Sequence, residues 1–151
     1  MDRPANLLDK IGSLIPGYRG YVEREGRRNC DRVLRETLAD DLSRFEKVIV
    51  KEINNAINKS EMDKMRRLES ERKDVNTLLS KIRYAPYGAS SFFSDQQIKE
   101  DELMTIYQYD LDLAESVNSL VSIDFSEGIS DNINNLEDIL VKRNQFIKEN
   151  K

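Results

Sequence analysis

The sequence contains no histidine, and this absence excludes several kinds of active site. Ser-His-Asp and Cys-His catalysis, the Glu-x-x-His iron sites of ferritin-like bundles and the usual zinc sites all need an imidazole ring. The six glycines form no phosphate-binding loop of the Walker or Rossmann kind. We therefore expect a protein that is not an enzyme, with no catalytic residues, no metal and no cofactor.

Cysteine and long apolar runs are also scarce. Cys30 is the single cysteine, so the chain has no internal disulfide framework and suits a reducing compartment. We expect its thiol to be a small core residue rather than a reactive group beside Arg27 and Arg28. No basic start leads into an apolar stretch, and no run of about 18 apolar residues occurs. These patterns predict a soluble, cytoplasmic protein without membrane insertion.

Glycine and proline are rare, whereas charged residues make up 34% of the sequence and apolar residues 38%. This balance is typical of slender helices with broad solvated faces. A chain of 151 residues is long enough for one domain with a proper core. The composition therefore predicts a single all-α domain covering residues 1–151.

Apolar residues spaced by three and four positions predict the individual helices. A short amphipathic helix spans residues 4–15 and ends at Pro16-Gly17, so that residues 1–17 form an N-terminal helix and turn that pack on the bundle or on a second subunit. Four main helices follow in an antiparallel bundle. The first is the longest, at residues 18–57, with a weak point at Gly26 if it is continuous.

Capping residues indicate where the other three helices, of about 25 residues each, begin. Ser60 is a plausible N-cap for the second, and Ser94 with Gln97 forms a capping box for the third. Asp124 with Glu127 could open the fourth, and Ser130 is the alternative start because Gly128 weakens the first turn.

Two charged residues interrupt the apolar series of the second and third main helices. Arg72 stands between Leu68 and Val75, and Asp110 occupies the corresponding position in the next helix. If these helices form an antiparallel hairpin centred near residue 91, Arg72 and Asp110 face each other. We therefore predict a structural ion pair between them, which would fix the register more than it adds stability.

The long interruption between those helices, residues 83–95, is rich in aromatic residues. The register of the bundle directs it along the arginine-rich start of the first main helix, where Tyr18 and Tyr21 lie. Two aromatic segments that are far apart in sequence should therefore meet at one end of the bundle.

These segments resemble a family of small all-helical prokaryotic proteins of unassigned function. The resemblance rests on Pro16-Gly17-Tyr18-Arg19-Gly20-Tyr21, on Arg83-Tyr84-Ala85 with Tyr87-Gly88, and on Tyr107 with Asp110. It covers most of residues 14–113. It implies a helical architecture and supplies no catalytic role.

Charge is unevenly distributed along the chain. Residues 19–35 hold six arginines against three acids, and residues 95–115 hold seven acids against one lysine. The net charge of -4 does not suggest general affinity for nucleic acid or membranes. A carboxylate-only Mg²⁺ or Ca²⁺ site at Glu100, Asp101 and Glu102 is disfavoured, because consecutive helical residues point in different directions.

Two interpretations of function remain. The first is a non-enzymatic helical module for protein interaction or self-association, which binds a protein partner or a second copy through an aromatic and arginine-rich end. The alternative is a ligand-binding or enzymatic bundle with a site between the central loop and the first main helix. Tyrosines and arginines could bind an anion or a base there, or simply close the bundle end. The candidate binding residues are Tyr18, Arg19, Tyr21, Arg28, Arg83, Tyr84, Tyr87 and Asp110.

Overall fold

The computed structural model describes residues 4–84, 91–93 and 97–150, and within them the chain is all-α, as predicted. Single turns of 3-10 helix lie at Arg24–Gly26 and Ser91–Phe93. None of the helices in these described ranges has the length and apolar character needed to cross a membrane. The five α-helices are α1 (Pro4–Leu14), α2 (Arg27–Asn58), α3 (Met62–Arg83), α4 (Glu100–Val121) and α5 (Ser130–Glu149).

The short N-terminal helix forms as predicted. Proline suits the first position of α1, where its missing N–H is not needed. Leu7, Ile11 and Ile15 lie on one side of the segment and are buried. The helix ends before Gly17, whose φ of 89° is a left-handed conformation that glycine adopts without strain.

The prediction of one helix over residues 18–57 is wrong at its start. α2 begins only at Arg27, and its 32 residues still make it the longest helix. Residues 18–23 are irregular because Tyr18 and Tyr21 both turn towards the core, with Gly20 between them at a φ of 86°. A Cβ at Gly20 would lie 2.5 Å from the Tyr107 hydroxyl. The weak point at Gly26 is thus the boundary of the helix.

Ser60 ends α2 rather than capping α3, so the predicted N-cap is wrong. Its φ of 58° is left-handed, which is the conformation that closes a helix C-terminus. The N–H of Glu61 donates to the Ala56 carbonyl at 2.8 Å, and the N–H of Ser60 donates to that of Ile57 at 3.0 Å. These two bonds form a Schellman motif, and Glu61 becomes the N-cap of α3.

Each of the four long helices packs on two of the others. α2 contacts α3 and α4, and α5 contacts the same two, so α3 and α4 occupy opposite corners. α2 and α3 are antiparallel. Arg72 of α3 pairs with Glu46 of α2, whereas Arg83, later in α3, pairs with the earlier residue Asp40. This arrangement is compatible with an antiparallel bundle of four, with α1 packed on the outside against α4.

The predicted ion pair between Arg72 and Asp110 is wrong. Arg72 binds Glu46 at 2.9 Å and Glu69 at 2.7 Å on the surface, while Asp110 binds Arg143 of α5. The prediction assumed that consecutive helices are neighbours. Sixteen residues separate α3 from α4, which is enough chain to cross to the opposite corner, whereas the shorter links keep α2 with α3 and α4 with α5.

The starts of α4 and α5 also differ from the first predictions. Ser94 lies outside the described residues, and α4 begins later, where the Lys99 N–H donates to the Glu102 carboxylate at 2.9 Å. α5 begins at the alternative start, Ser130. There the buried Glu71 of α3 accepts the Ile129 N–H at 2.8 Å, so a residue of another helix satisfies an N-terminal donor of α5.

Replacing Ser60 with glycine should stabilise the protein by about 0.5–1 kcal/mol, because glycine adopts the left-handed conformation without a steric penalty. Urea denaturation followed by circular dichroism measures this change. Lys51→Gly in the exposed middle of α2 is the matched control and should cost about 0.5–1 kcal/mol. A loss of stability in both variants would contradict the role assigned to Ser60.

Candidate functional site

The most unusual feature of the interior is a buried ion pair between α4 and α5. Asp110 and Arg143 are both 0% exposed, and the Arg143 Nε donates to Asp110 Oδ1 at 2.5 Å. The Arg143 Nη2 donates to Asp31 Oδ1 of α2 at 2.8 Å. One guanidinium therefore links three helices inside the bundle.

Two tyrosines of the segment before α2 complete the coordination of Asp110. The hydroxyls of Tyr18 and Tyr21 donate to Asp110 Oδ2 at 2.5 and 2.6 Å. The Arg143 Nη2 also donates to the Tyr21 hydroxyl at 3.2 Å. Both carboxylate oxygens are thus occupied. We call Tyr18, Tyr21, Asp31, Asp110 and Arg143 the Asp110 network.

A second guanidinium balances the charge at the edge of this network. The Arg35 Nε donates to Asp31 Oδ2 at 2.9 Å, and its Nη1 donates to the Arg83 carbonyl at the end of α3 at 2.8 Å. Two carboxylates, Asp31 and Asp110, therefore face two guanidiniums, Arg35 and Arg143. Such pairing and hydrogen bonding are what make buried charge tolerable.

The backbone N–H and C=O groups around Tyr21 need hydrogen-bond partners other than those of a helix, because this segment is irregular. Its N–H donates to the Tyr107 hydroxyl at 2.9 Å, and its carbonyl accepts from the Arg27 Nε at 2.9 Å. Gly20 is required here, since a side chain would collide with Tyr107. The glycine and the two tyrosines around it thus form one unit that fits against α4.

Aromatic rings enclose the tyrosine side of the network. The centroid of the Tyr21 ring lies 5.7 Å from that of Tyr107, 5.9 Å from that of Tyr18 and 5.4 Å from that of Phe93. Phe92 and Phe93 are buried. The contact with Phe93 confirms that the central stretch meets the Tyr18–Tyr21 segment, although it does so within the core.

Burial governs the electrostatics of these groups. It raises the pKa of the Tyr18 and Tyr21 hydroxyls well above the usual value, and the negative charge of Asp110 raises it further. Burial also raises the pKa of the Asp110 carboxyl, opposed by the charge of Arg143 and by the two tyrosine hydroxyls. The tyrosine hydroxyls therefore stay protonated and donate hydrogen bonds to this carboxylate.

Cys30 lies beside the network and is buried. Burial, with a smaller contribution from Asp110, raises the pKa of its thiol to about 12. A thiol with so high a pKa is almost entirely protonated at neutral pH and is a poor nucleophile. Cys30 is thus the small core residue that the sequence predicted.

The predicted binding residues separate into two groups. Tyr18, Tyr21 and Asp110 meet, but they do so inside the core, where each is less than 7% exposed. The remaining described residues do not join them. Tyr84 is 73% exposed, Arg83 pairs with Asp40 at 2.9 Å, Arg19 and Arg28 lie on the surface, and Tyr87 is outside the described residues.

Sequence reasoning missed Arg143 and Asp31. Both carried a signal, because each occupies an apolar position in a series with steps of three and four. Arg143 follows Leu136 and Leu140 in α5, and Asp31 precedes Leu34 in α2. A charged residue on the buried face of a helix indicates a buried partner. Arg143 is the partner of Asp110, and Asp31 is the second carboxylate that Arg143 binds.

The buried polar atoms of the Asp110 network all have hydrogen-bond partners. Over the described ranges, the buried side-chain atoms without a hydrogen-bond partner are Glu71 Oε1 and Asn144 Oδ1, and neither belongs to the Asp110 network. No group of three or more acidic or cysteine side chains suited to a metal ion occurs among the same residues. Together with Arg35 the network is charge-balanced and hydrogen-bonded, and it joins segments that are far apart in the sequence.

Comparison with protein-family models, curated proteins and solved structures finds no match for this chain. The resemblance carried by the two tyrosine motifs therefore stays a prediction.

Removing one partner of the buried ion pair should be costly. Asp110→Ala leaves Arg143 buried beside a single remaining carboxylate, and we expect it to lower the free energy of unfolding by about 3–5 kcal/mol. The double variant Asp110→Leu/Arg143→Met, which replaces both charges with apolar side chains, should lose less. Chemical denaturation of both proteins measures the difference.

Arg72→Ala is the control, because its pairs with Glu46 and Glu69 are only partly buried and should contribute no more than about 1 kcal/mol. If Asp110→Ala costs no more than this control, Asp110 is not the buried centre described above.

Alkaline pH should destabilise the fold through Tyr18 and Tyr21. Their pKa values are raised in the folded protein, so their contribution is present below the tyrosine value of the unfolded chain, about 10, and is lost as pH rises above it. In a titration followed at 295 nm, these two hydroxyls should ionise only as the protein unfolds. Tyr18→Phe and Tyr21→Phe should each reduce that late step.

Circular dichroism at the same pH values provides the control for folding. Ionisation of all tyrosines in one step near pH 10, in a protein with its native helix content, would contradict the burial of these hydroxyls.

Proposed function

We propose that this chain is a non-enzymatic helical module that docks an acidic segment of a partner protein on the arginine-rich end of the bundle. The observation that supports the proposal is that some of the predicted binding residues are buried in the core and others are exposed on the surface. The Asp110 network takes Tyr18 and Tyr21 into the core. Arginines from the same stretch of sequence remain on the surface, and an exposed aromatic residue, Tyr84, follows the end of α3.

The N-terminal end of α2 is positive because of both its arginine side chains and the helix dipole. Arg28 and Arg32 lie four residues apart in α2, Arg24 lies in the 3-10 turn just before it, and all three are exposed. The first turn of α2 contains no acidic residue and its N-cap, Gly26, offers no side-chain acceptor. The helix dipole therefore adds to the arginine charges, and both favour a negatively charged partner.

Exposed apolar side chains accompany these charges. Val22 is 67% exposed and Tyr84 is 73% exposed. The end of α3 lies against α2 because Arg35 donates to the Arg83 carbonyl, which places Tyr84 along the same helix as the arginines. Tyrosine and arginine are the residue types that most often contribute strongly to protein interfaces.

The arrangement of the described residues gives less support to a ligand-binding or enzymatic site. That interpretation requires Asp110 to converge with Arg28, Arg83 and Tyr84. Asp110 is instead enclosed by Arg143 and two tyrosines, and Arg83 points to Asp40 on the surface. The net charge of -4 likewise favours a local protein contact over general binding of nucleic acid.

A photo-reactive residue in place of Tyr84 tests the proposal. We expect it to capture a protein partner, and we expect the same residue in place of Val141, an exposed position on α5, to capture none. The double variant Arg24→Glu/Arg28→Glu should abolish the capture at position 84. Acidic residues suit a helix N-terminus, so this double variant should stay folded.

Two outcomes would overturn the proposal. One is equal capture at positions 84 and 141, which would indicate nonspecific contact. The other is a captured species that is nucleic acid rather than protein, with binding that weakens steeply as salt increases.

A further inference from the structure

α1 stands apart from the four long helices. Its extended contact is with α4, and its buried residues Leu7 and Ile11 belong to the core. It has only 11 residues, and an isolated helix shorter than about 12–15 residues is marginal in water. Its helical structure therefore depends on the groove that it fills.

The segment after α1 is held by the same helix. Tyr18 and Tyr21 donate to Asp110, and the Tyr21 N–H donates to the Tyr107 hydroxyl. Both acceptors belong to α4. Residues 4–21, which we call the N-terminal strap, thus attach to α4 through an apolar face and through a set of hydrogen bonds.

The strap joins α2 through five exposed residues, 22–26. They contain a single 3-10 turn without a buried residue, and their backbone bond from the Gly26 N–H to the Glu23 carbonyl is local. A side chain at Gly26 would meet no atom within 4 Å. This connection could change its conformation without loss of core packing.

Detachment of the strap into water would be unfavourable in free energy. Leu7 and Ile11 would leave the core, and Asp110 would lose both tyrosine donors while its partner Arg143 stayed in place. A departing strap must therefore be replaced by a ligand with the same apolar spacing and the same two hydroxyls. The structure shows that the strap sequence itself meets these requirements, and a second copy of the chain carries it.

We propose that the strap exchanges between two copies of this chain. In the resulting dimer, the Asp110 of each subunit accepts hydrogen bonds from Tyr18 and Tyr21 of the other, so each network is built from two chains. Every contact of the strap is preserved, and only residues 22–26 change conformation. Such an exchange is a route to dimers that needs little new surface. It uses α4, and its connecting residues 22–26 include Val22 and Arg24 of the proposed docking surface.

A crosslink between α1 and α4 distinguishes the closed chain from the exchanged dimer. Lys10 of the strap and Asn118 of α4 both line an open cleft of about 370 Å³ between these two helices. The protein carrying Lys10→Cys, Asn118→Cys and Cys30→Ala is concentrated, warmed towards its unfolding midpoint and cooled. Its monomer and dimer are then separated by size-exclusion chromatography with light scattering. Each fraction is treated with a short bis-maleimide.

We expect the dimer fraction to yield covalently linked pairs of chains on a denaturing gel, and the monomer fraction to yield single chains with an internal link. Crosslinking before the warming step should abolish dimer formation. The matched control joins Lys81→Cys to Glu137→Cys in the same Cys30→Ala background. Those residues form an exposed ion pair between α3 and α5, so this link should leave dimer formation unchanged.

Two results would overturn the exchange. One is a protein that stays monomeric at every concentration after warming. The other is a dimer whose chains carry only internal links, because such a dimer pairs through another surface. Neither result decides the docking proposal, since the hydrogen bonds that Tyr18 and Tyr21 make to Asp110 and Tyr107 involve neither Arg24 nor Arg28. Loss of partner capture at Tyr84 would likewise leave the exchange standing.

Discussion

The structure depends on the need to compensate the charge of Asp110 where water cannot reach it. Burial of a carboxylate costs several kcal/mol unless a cation and further donors surround it. Arg143 supplies the cation and Tyr18 and Tyr21 supply the donors. Arg143 extends the network to Asp31, and Arg35 continues it to the end of α3. One buried charge thus fixes how α2, α4, α5 and the N-terminal strap meet.

This network changes the interpretation of the tyrosine motif. Tyrosine beside glycine and arginine in an irregular segment suggests a recognition surface, and the sequence offered that hypothesis. In the fold, Gly20 lets the backbone pass the Tyr107 hydroxyl, and the tyrosines on either side donate inward. A buried ion pair often contributes little to net stability, because desolvation offsets its Coulomb gain. The motif therefore specifies how the strap joins the bundle.

The two proposals concern different features of the fold. The proposed partner surface consists of the exposed arginines and Tyr84, while the proposed exchange concerns the N-terminal strap, which packs against α4. Both proposals follow from the same distinction between side chains whose hydrogen bonds are satisfied internally and side chains that face water.

The sequence by itself determined the helical class, the short N-terminal helix and the inert character of Cys30, because composition, apolar spacing and local turn residues act over short distances. Only the tertiary structure decided the partner of Asp110. The 16 residues between α3 and α4 permit either neighbouring or opposite corners, and local pattern does not choose between them. Arg143 carried a sequence signal, yet its pairing with Asp110 required knowledge of which helices touch. The packing of the whole chain decides which helices are neighbours, because the buried carboxylates and guanidiniums must be paired in the same arrangement.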